Sequence, residues 1–542
     1  MIQRPQLVLL AASLLCACGK VSSLGHGKDS TNDSANGGSG GAALVDGSPG
    51  GSSFGGRSNG GNGGASTSGG GTAGSGLGGM GGRVVDPECV SAVRVDGNLQ
   101  VSSGSNTTRL VNEVTGDVTI DSETADLPQL RCLETVGNNL DVRIGSGDLS
   151  ALGRLRSVHI TLTIHGNHDM RDLSTLKSLT SIGTTLTLEG NDGLVNLDGL
   201  EHLDELFELH IRSNPKLENL NALASVTSRG GNVEIAHNAS LVDISGLQRF
   251  AKVNKLEIVD NPILRSLDGL NGLTNVVGTI DVSENAALNN IDGLLGVKSA
   301  NEVEITSNPA LPDLAGLSNL ETTHSITLSG NTALENIDAL RTSLTSLDSF
   351  YLDGSPKVTN LEGLSNLITM YGLDLGASGI NSLHGLRNLT QIDTLNIGYV
   401  RITDLSGLGK LVIKSHLNII EANELVNLRG LAGFDSIGTF RLDSNAKLAD
   451  LSDLTALQSV GLLSISGNPM LTSLAGLENL ETIAALVVTD SALTDLTPLA
   501  GLQSLNDANI ERNPNLSNCE AEAFIKRTGT ASANLADNGP CN

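Results

Sequence analysis

A ten-residue pattern returns along most of this chain at a spacing that few architectures accept. Asn261 opens the copy NPILRSLDGL, and altered copies open at Asn214, Asn308 and Asn468. Self-similarity at such a period is the signature of a solenoid, in which each copy forms one coil and contacts its neighbours. The asparagine position recurs every 22 to 24 residues, at Asn167, Asn191, Asn214, Asn238, Asn261, Asn285, Asn308, Asn331, Ser355, Ser378, Val400, Ala422, Asn445, Asn468, Ser491 and Asn513.

An alternating triplet precedes each asparagine, as in LHI at Leu209 and LEI at Leu256. Period-two alternation over a short β-rich run predicts a strand with one buried face. A Leu-x-x-Leu-x-Gly-Leu segment follows, as at Leu194. We therefore expect a β-rich solenoid of about 23 residues per coil. One strand from each coil joins a parallel ladder, and leucines fill a single interior.

The polar and glycine positions of the repeat have structural explanations. A side-chain amide both donates and accepts, so stacked asparagines satisfy backbone groups enclosed by a sharp turn. Proline after the asparagine restrains the turn, and the glycine of the second half permits a tight second corner. We therefore do not interpret the asparagines as a binding site.

The combined pattern LxxLxGLxxL…LxIxxN resembles the leucine-rich repeat superfamily. The segments LTSIGTTLTLEGN and LQSVGLLSISGN are similar to its receptor L-domain branch. The resemblance covers about residues 89–518 and implies a right-handed coil whose strand face is the usual ligand surface. A pectate-lyase-like β-helix also fits the repeat length, but the Leu-x-x-Leu-x-Gly-Leu half favours the leucine-rich interpretation.

The amino-terminal residues are predicted to form an export signal. The apolar run Leu7–Leu15 is too short to span a bilayer, and Arg4 precedes it; this is typical of a secretory signal. The segment LCACG that follows resembles a bacterial lipobox. The resemblance implies a signal peptide over residues 1–17, lipidation of Cys18 and, because Gly19 is not acidic, an outer-membrane location with surface exposure. An ordinary signal peptide with two incidental cysteines is the alternative.

Composition divides the rest of the chain. Residues 18–82 consist mostly of Gly, Ser, Asn, Thr and Ala, which predicts a disordered tether with a root-mean-square span of about 45 Å. We expect an amino-terminal cap with irregular coils over residues 83–160, regular coils over 161–516 and a carboxy-terminal cap over 517–542. In the last segment, NCEAEAFIKRTGT suits a short helix that covers the apolar end of the final coil.

Four further cysteines lie in pairs on either side of the regular coils: Cys89, Cys132, Cys519 and Cys541. An exported chain encounters an oxidising compartment, so disulfides are expected. One bond at each end, Cys89–Cys132 and Cys519–Cys541, is the simplest arrangement. Four cysteines allow three pairings, and the sequence alone does not choose among them.

Composition also limits the partners. The net charge of -26 disfavours nucleic acid and bare anionic membrane as ligands. We expect an unidentified protein or surface ligand, with cationic partners favoured, and membrane contact through the lipid anchor only.

Four consecutive coils place an acid at the same outward strand position: Glu234, Glu257, Asp281 and Glu304. Stacked like charges repel, by about 1 kcal/mol per pair in water and about 4 kcal/mol at an effective dielectric of 20. A cationic partner or bound Ca²⁺ would relieve the repulsion. Solvation and the neighbouring Lys255 offer the alternative relief, and one carboxylate per coil makes a poor calcium cage.

A second candidate surface is aromatic and lies where the repeat is least regular. Six of the ten aromatic residues fall there. Exposed tyrosine is enriched in protein interfaces, so we expect a contact patch formed by Tyr351, Asp353, Tyr371, Asp374 and Tyr399. The alternative is that these rings fill gaps where the coils change shape.

No constellation in the sequence indicates catalysis. His159, His165, His168 and Asp169 cluster near the first regular coil, but no second ligand set supports a metal site. Neither a phosphate-binding loop nor a nucleophile with its base is identifiable, so we expect no catalytic residues and no resident cofactor.

Three functions remain at this point. The first is an outer-membrane lipoprotein that presents its solenoid for adhesion or recognition. The second is a structural spacer of the envelope without a dedicated ligand. The third is a polysaccharide-acting β-helix enzyme. It is disfavoured because the chain has no Trp and because the column formed by the four stacked acids above, the acidic column, contains no Lys or Arg.

Overall fold

The fold is described from a computed structural model. It describes residues 87–102, 109–122, 127–145, 149–431 and 433–541. The predicted signal peptide, Cys18 and the tether over residues 18–82 lie outside these residues and stay predictions.

One parallel strand ladder runs through the described residues and confirms the predicted solenoid. Each strand between the two end strands pairs in parallel with the strand of the coil before it and with that of the coil after it. Its twenty strands are Leu99–Ser102, Val118–Ser122, Leu140–Ile144, Thr161–His165, Thr185–Glu189, Glu208–Arg212, Val233–Ala236, Leu256–Val259, Thr279–Ser283, Glu302–Thr306, Thr322–Ser329, Ser346–Asp353, Thr369–Leu375, Gln391–Gly398, Val412–Ile420, Ser436–Asp443, Ser459–Ser466, Thr482–Thr489, Ser504–Glu511 and Ser532–Asn534.

Earlier coils carry an additional short strand ahead of the ladder strand. From Thr322 to Glu511 the short and long strands merge into one strand of seven to nine residues per coil. Merging widens the part of each coil that belongs to the sheet. The short strands are Val93–Val95, Val111–Val114, Thr135–Val136, Ser157–Val158, Ser181–Ile182, Glu205–Leu206, Thr227–Ser228, Lys252–Val253 and Asn275–Val276.

Short 3₁₀ turns form the second half of most coils, within the Leu-x-x-Leu-x-Gly-Leu segment. They span Pro87–Cys89, Pro128–Leu130, Ser150–Leu152, Ser174–Leu176, Asn221–Leu223, Ser245–Leu247, Asp292–Leu294, Ala315–Leu317, Asp338–Thr342, Glu362–Leu364, His384–Leu386, Ser406–Leu408, Ser452–Leu454 and Thr497–Gly501.

Two constraints act on the glycine of this segment, the backbone conformation of the corner and the close packing of adjacent coils. Gly199 has a φ of +111°, which suits the predicted tight corner. At Gly293, which is not among the positive-φ residues, a Cβ atom would lie 1.9 Å from the carbonyl oxygen of Leu267 in the preceding coil. Close stacking of the coils therefore requires glycine at position 293, where backbone freedom is not needed. The same constraint holds at Gly199, where a Cβ atom would lie 1.9 Å from the carbonyl oxygen of Leu173.

The leucines form a single continuous core that extends from Val101 to Phe524. Leu194, Leu197 and Leu200 of one coil are all fully buried. Phe350 and Phe440 occupy inward strand positions and are also fully buried. The interior is thus filled by aliphatic side chains with few rings, as the low aromatic content requires.

Buried asparagines form a ladder of side-chain hydrogen bonds along the core. The backbone N–H of Asn261 donates to Oδ1 of Asn285 at 3.0 Å, and its own Nδ2 donates to the carbonyl oxygens of Ile235 and Val259 at 2.9 and 3.1 Å. Each amide therefore closes the turn of its own coil and joins it to both neighbours. Ser355, Ser378, Val400, Ala422 and Ser491 interrupt the ladder.

Both ends of the solenoid carry a disulfide. Cys89 is bonded to Cys132, and Cys519 to Cys541. The final coil is followed by a helix over Asn518–Thr528 that buries Ala521 and Phe524. None of the helices in the described part of the chain has the length and apolar character needed to cross a membrane.

Candidate functional site

Side chains on the outward face of the ladder are arranged in rows by the strand register. The middle outward column is defined as the residue between the two inward residues of each ladder strand. Register pairs such as Thr327↔Tyr351 and Tyr351↔Asp374 place these residues side by side in successive coils. Over the sixteen strands from Thr161–His165 to Ser504–Glu511, which the name covers from here on, the column reads Thr163, Thr187, His210, Glu234, Glu257, Asp281, Glu304, Thr327, Tyr351, Asp374, Asn396, Asn418, Arg441, Ser464, Val487 and Asn509.

Glu234, the first acid of the column, is paired with cations of the preceding coil. Its Oε2 lies 2.9 Å from Nδ1 of His210, and its Oε1 lies 3.6 Å from Nε of Arg212. The hydrogen bond from His210 lowers the pKa of the Glu234 carboxyl, and the same bond raises the pKa of His210. The structure thus supplies internally part of the positive charge that an external partner would bring.

The next two acids are also stabilised from within. Lys255 Nζ lies 2.6 Å from Oε1 of Glu257, and the hydroxyl of Ser283 donates to Asp281. Burial raises the pKa of Asp281, the Ser283 hydrogen bond opposes this, and the charge of Glu257 raises it further. The expected repulsion is therefore present at Asp281 but is reduced at Glu234 and Glu257 by local partners.

Histidines near the first regular coil pair with single carboxylates instead of converging on one point. His165 Nε2 lies 3.0 Å from Asp141 Oδ1, and His168 Nδ1 lies 2.6 Å from Asp192 Oδ2. Within the described ranges, no group of three or more His, Cys, Asp or Glu side chains is arranged to hold a metal ion. This holds for the acidic column as well as for the histidines.

The secondary structure and the buried residues of each coil match one known type of structural repeat. Each unit of about 23 residues contributes a parallel strand, a buried asparagine and, in most coils, a 3₁₀ turn around an aliphatic core. The fold is a leucine-rich repeat solenoid. The closer similarity to receptor L domains stays a prediction.

Solved structures with this fold resemble the chain only distantly. A leucine-rich repeat protein of Leptospira interrogans is 19% identical, with a TM-score of 0.41, and the match covers 71% of this chain and 91% of that protein. An internalin of Listeria monocytogenes is 20% identical, with a TM-score of 0.36 and coverage of 64% and 86%. TLR13, solved in complex with ssRNA13, is 16% identical, with a TM-score of 0.36 and coverage of 82% and 71%.

Other comparisons find no relative. No protein-family model matches the chain, and no curated protein matches it. At the TM-scores above, the structural likenesses carry no argument about function, so the candidate site rests on the side chains of this leucine-rich repeat solenoid.

The strands Thr322–Ser329, Ser346–Asp353, Thr369–Leu375 and Gln391–Gly398 form a part of the ladder that we call the tyrosine face. Tyr351 stands in the middle outward column with 46% of its surface exposed, and Asp374 is its register partner. Burial raises the pKa of Asp374, and the charge of Asp353 raises it further, while a hydrogen bond from Asn396 opposes both. The predicted Tyr351, Asp353 and Asp374 are therefore neighbours on one surface.

Tyr371 and Tyr399 border this face at its two edges. Tyr371 lies three positions upstream of Asp374, and Tyr399 lies three positions downstream of Asn396, the register partner of Asp374. Six strand positions correspond to about 20 Å along the strand direction. The three tyrosines therefore mark the middle and both edges of one face and do not form a compact cluster.

Tyr399 also contacts the following coil. Its hydroxyl donates to Oε1 of Glu421 at 2.9 Å, and this hydrogen bond raises the pKa of the tyrosine. Its ring nevertheless stays 53% exposed, and that of Tyr371 is 61% exposed. Gap filling does not explain rings exposed to this extent, because the interior of these coils is filled by the ring of Phe350 and by aliphatic residues such as Leu373.

Sequence reasoning missed a chain of amides that continues from the tyrosine face. Asn396 Nδ2 donates to Oδ2 of Asp374 at 3.1 Å, and Asn418 Nδ2 donates to Oδ1 of Asn396 at 2.8 Å. Oδ1 of Asn418 is buried and accepts no hydrogen bond. Asp374, Asn396 and Asn418 occupy consecutive positions of the middle outward column, so their proximity could be predicted from the sequence. The prediction considered only charged and aromatic side chains and therefore did not include these neutral amides.

Proposed function

We propose that this chain is a binding protein whose ladder face recognises a protein ligand. One observation carries the proposal: all three tyrosines of the chain lie on the tyrosine face or at its edges, in three consecutive coils, and each is about half exposed or more. Tyrosine presents a large, rigid, amphipathic surface and is enriched in protein interfaces. The core does not use these rings, so interface formation is the role that accounts for their position.

The proposal includes a location at the cell surface. The LCACG segment supports lipidation of Cys18, and the Gly-rich residues 18–82 support a flexible connection between anchor and solenoid. We expect Cys18→Ala to abolish incorporation of an alkyne-labelled fatty acid and to release the protein from the outer-membrane fraction. Continued membrane retention of unlabelled Cys18→Ala protein would contradict the anchor.

The binding role is tested by affinity capture with matched variants. The full chain is incubated with solubilised envelope and with extracellular material, with and without a chelator. We expect a protein to be recovered by the wild type and lost with Tyr351→Lys. Met470→Lys is the control, because Met470 is 59% exposed but lies beyond the asparagine turn, outside the ladder strands.

The outcomes separate the alternatives. Recovery of no protein by the wild type would favour a spacer without a dedicated ligand. Loss of the captured protein with Met470→Lys but not with Tyr351→Lys would place the binding surface elsewhere. Release of reducing or unsaturated ends from polyuronates by the purified chain would indicate the enzyme.

A further inference from the structure

The tyrosine face has an uncompensated charge. Its four strands contain Asp348, Asp353, Asp374 and Asp393 but neither Lys nor Arg. Within the described residues, none of these aspartates lies within ion-pair distance of a Lys, Arg or His side chain. The groups that donate hydrogen bonds to these carboxylates are neutral: for example, Asp353 accepts from the backbone N–H of Ala377 at 2.9 Å.

The acidic column of the earlier coils provides the contrast. There, Glu234 is paired with His210 and Arg212, and Glu257 is paired with Lys255. Both regions are acidic in sequence. Glu234 and Glu257 of the acidic column each have a cationic partner from the fold, whereas none of the four aspartates of the tyrosine face has one within the described residues. A ligand that supplies positive charge therefore complements the tyrosine face better than it complements the acidic column.

Two glycines, which have no side chains, lie next to the aspartates of the tyrosine face. In the strand Thr369–Leu375, Gly372 precedes Asp374, and Gly376 follows the strand. A Cβ atom at Gly376 would lie 2.3 Å from Oδ1 of Asp353, so only glycine leaves that carboxylate in place. The carboxylate of Asp353 therefore lies directly over the backbone at Gly376, on the same face as Asp374 and its register partner Tyr351.

Resting on the proposed function, we infer that the tyrosine face binds an extended Arg- or Lys-rich segment of a partner protein. A cationic side chain of that segment lies against the ring of Tyr351 and between the carboxylates of Asp353 and Asp374. Cation–π attraction and charge pairing then act on the same group. Tyr371 and Tyr399, about 20 Å apart at the two edges, contact residues of the segment on either side.

The inference is tested with defined peptides and the full chain. Fluorescein-labelled deca-arginine is titrated with protein and followed by anisotropy, with a Ser-Gly peptide and deca-glutamate as probes of other chemistry. We expect Asp353→Asn/Asp374→Asn to weaken deca-arginine binding about tenfold. Tyr351→Ala should weaken it about two- to fivefold, while Tyr351→Phe, which keeps the ring face, should bind like the wild type.

The matched control removes equally many charges from the acidic column. Glu234→Gln/Glu257→Gln should change deca-arginine affinity by less than about twofold, since those carboxylates already have partners. An equal loss in this control would show non-specific attraction by the net charge and overturn the inference. Unchanged affinity in the Asp353→Asn/Asp374→Asn variant, or absence of deca-arginine binding by the wild type, would overturn it as well.

Failure of the inference is distinguishable from failure of the proposed function. A captured protein that depends on Tyr351 but is not displaced by deca-arginine would refute the basic segment and leave the binding role intact. The proposed binding role would be refuted by a different result, namely that capture of no protein depends on Tyr351.

Discussion

The carboxamide oxygen of Asn261 accepts a hydrogen bond from the backbone N–H of Asn238, 3.2 Å away in the preceding coil. The same contact recurs from coil to coil, for example between Asn445 and Asn468 at 3.0 Å. Since these amides are fully buried, each one replaces water for backbone groups that the turn removes from solvent. Stacking of the coils therefore depends on this row of buried asparagine side chains as well as on the apolar core.

Removal of one such amide should destabilise the solenoid strongly. Asn261→Ala leaves the carbonyl oxygens of Ile235 and Val259 without that donor and the N–H of Asn238 without its acceptor. We expect the free energy of unfolding to fall by about 3 kcal/mol, measured from urea denaturation. Asn289→Ala, at an exposed position of the same repeat, is the control and should change it by less than about 0.5 kcal/mol.

The residue before the ladder asparagine is a site of backbone strain. Ser307 has a φ of +55°, in the left-handed region. We expect Ser307→Gly to stabilise the protein by about 0.5–1 kcal/mol, because relief of strain exceeds the entropy cost of glycine. The control Ser318→Gly, at a φ of -63°, should destabilise it by a similar amount. Thermal midpoints that shift in the same direction for both variants would contradict this explanation.

The pair His210–Glu234 should make stability depend on pH. Glu234 raises the pKa of His210 above its usual 6.5, so this contribution is present below 6.5 and is lost as the pH rises through the folded value. His210 lowers the pKa of Glu234 below its usual 4.5, so that contribution is present above 4.5 and is lost as the pH falls through the folded value. The pair therefore stabilises the fold most between pH 4.5 and 6.5.

Denaturation of His210→Gln at two pH values measures this effect. The stability difference from the wild type should be on the order of 1 kcal/mol near pH 5.5 and should shrink at about pH 8. His202→Gln serves as the control, because His202 is exposed and makes no side-chain hydrogen bond within the described ranges. A pH-independent difference for His210→Gln would refute the coupling.

The carboxy-terminal disulfide should protect the final coils. Cys519 in the terminal helix is bonded to Cys541 across 22 residues. We expect Cys519→Ser/Cys541→Ser to lower the stability of this end by about 3 kcal/mol. Amide hydrogen exchange should accelerate near Ile510 and remain unchanged near Ile235, many coils away, because coils contact only their neighbours. Uniform acceleration along the chain would contradict local capping.

Local repetition explains why much of the fold follows from the sequence. The regular spacing of Leu194, Leu197 and Leu200 predicts their burial, and the composition of NCEAEAFIKRTGT predicts the helix that ends the solenoid. Each of these features depends on residues close together in the chain. The fold assignment therefore needed only the period and the polarity of single positions.

Contacts made across coils were harder to predict. The ladder continues to Asn538, whose Oδ1 accepts from the N–H of Asn513 at 3.2 Å, although the repeat pattern has already ended. The sequence marks the acids of the column but not the hydrogen bond between His210 and Glu234, which depends on side-chain rotamers. The left-handed residue before most positions of the asparagine column was missed because it varies in type, for example from Gly190 before Asn191 to Tyr399 before Val400.

The measurement that tests the proposed binding face most directly is site-specific photo-crosslinking in intact cells. A photoreactive phenylalanine analogue replaces Tyr351 in one strain and Met470, a comparably exposed residue outside the ladder, in another. We expect irradiation to join the chain to a discrete partner protein from position 351 and not from position 470. Crosslinks to the same partner from position 470 alone, or from neither position, would contradict recognition by the tyrosine face.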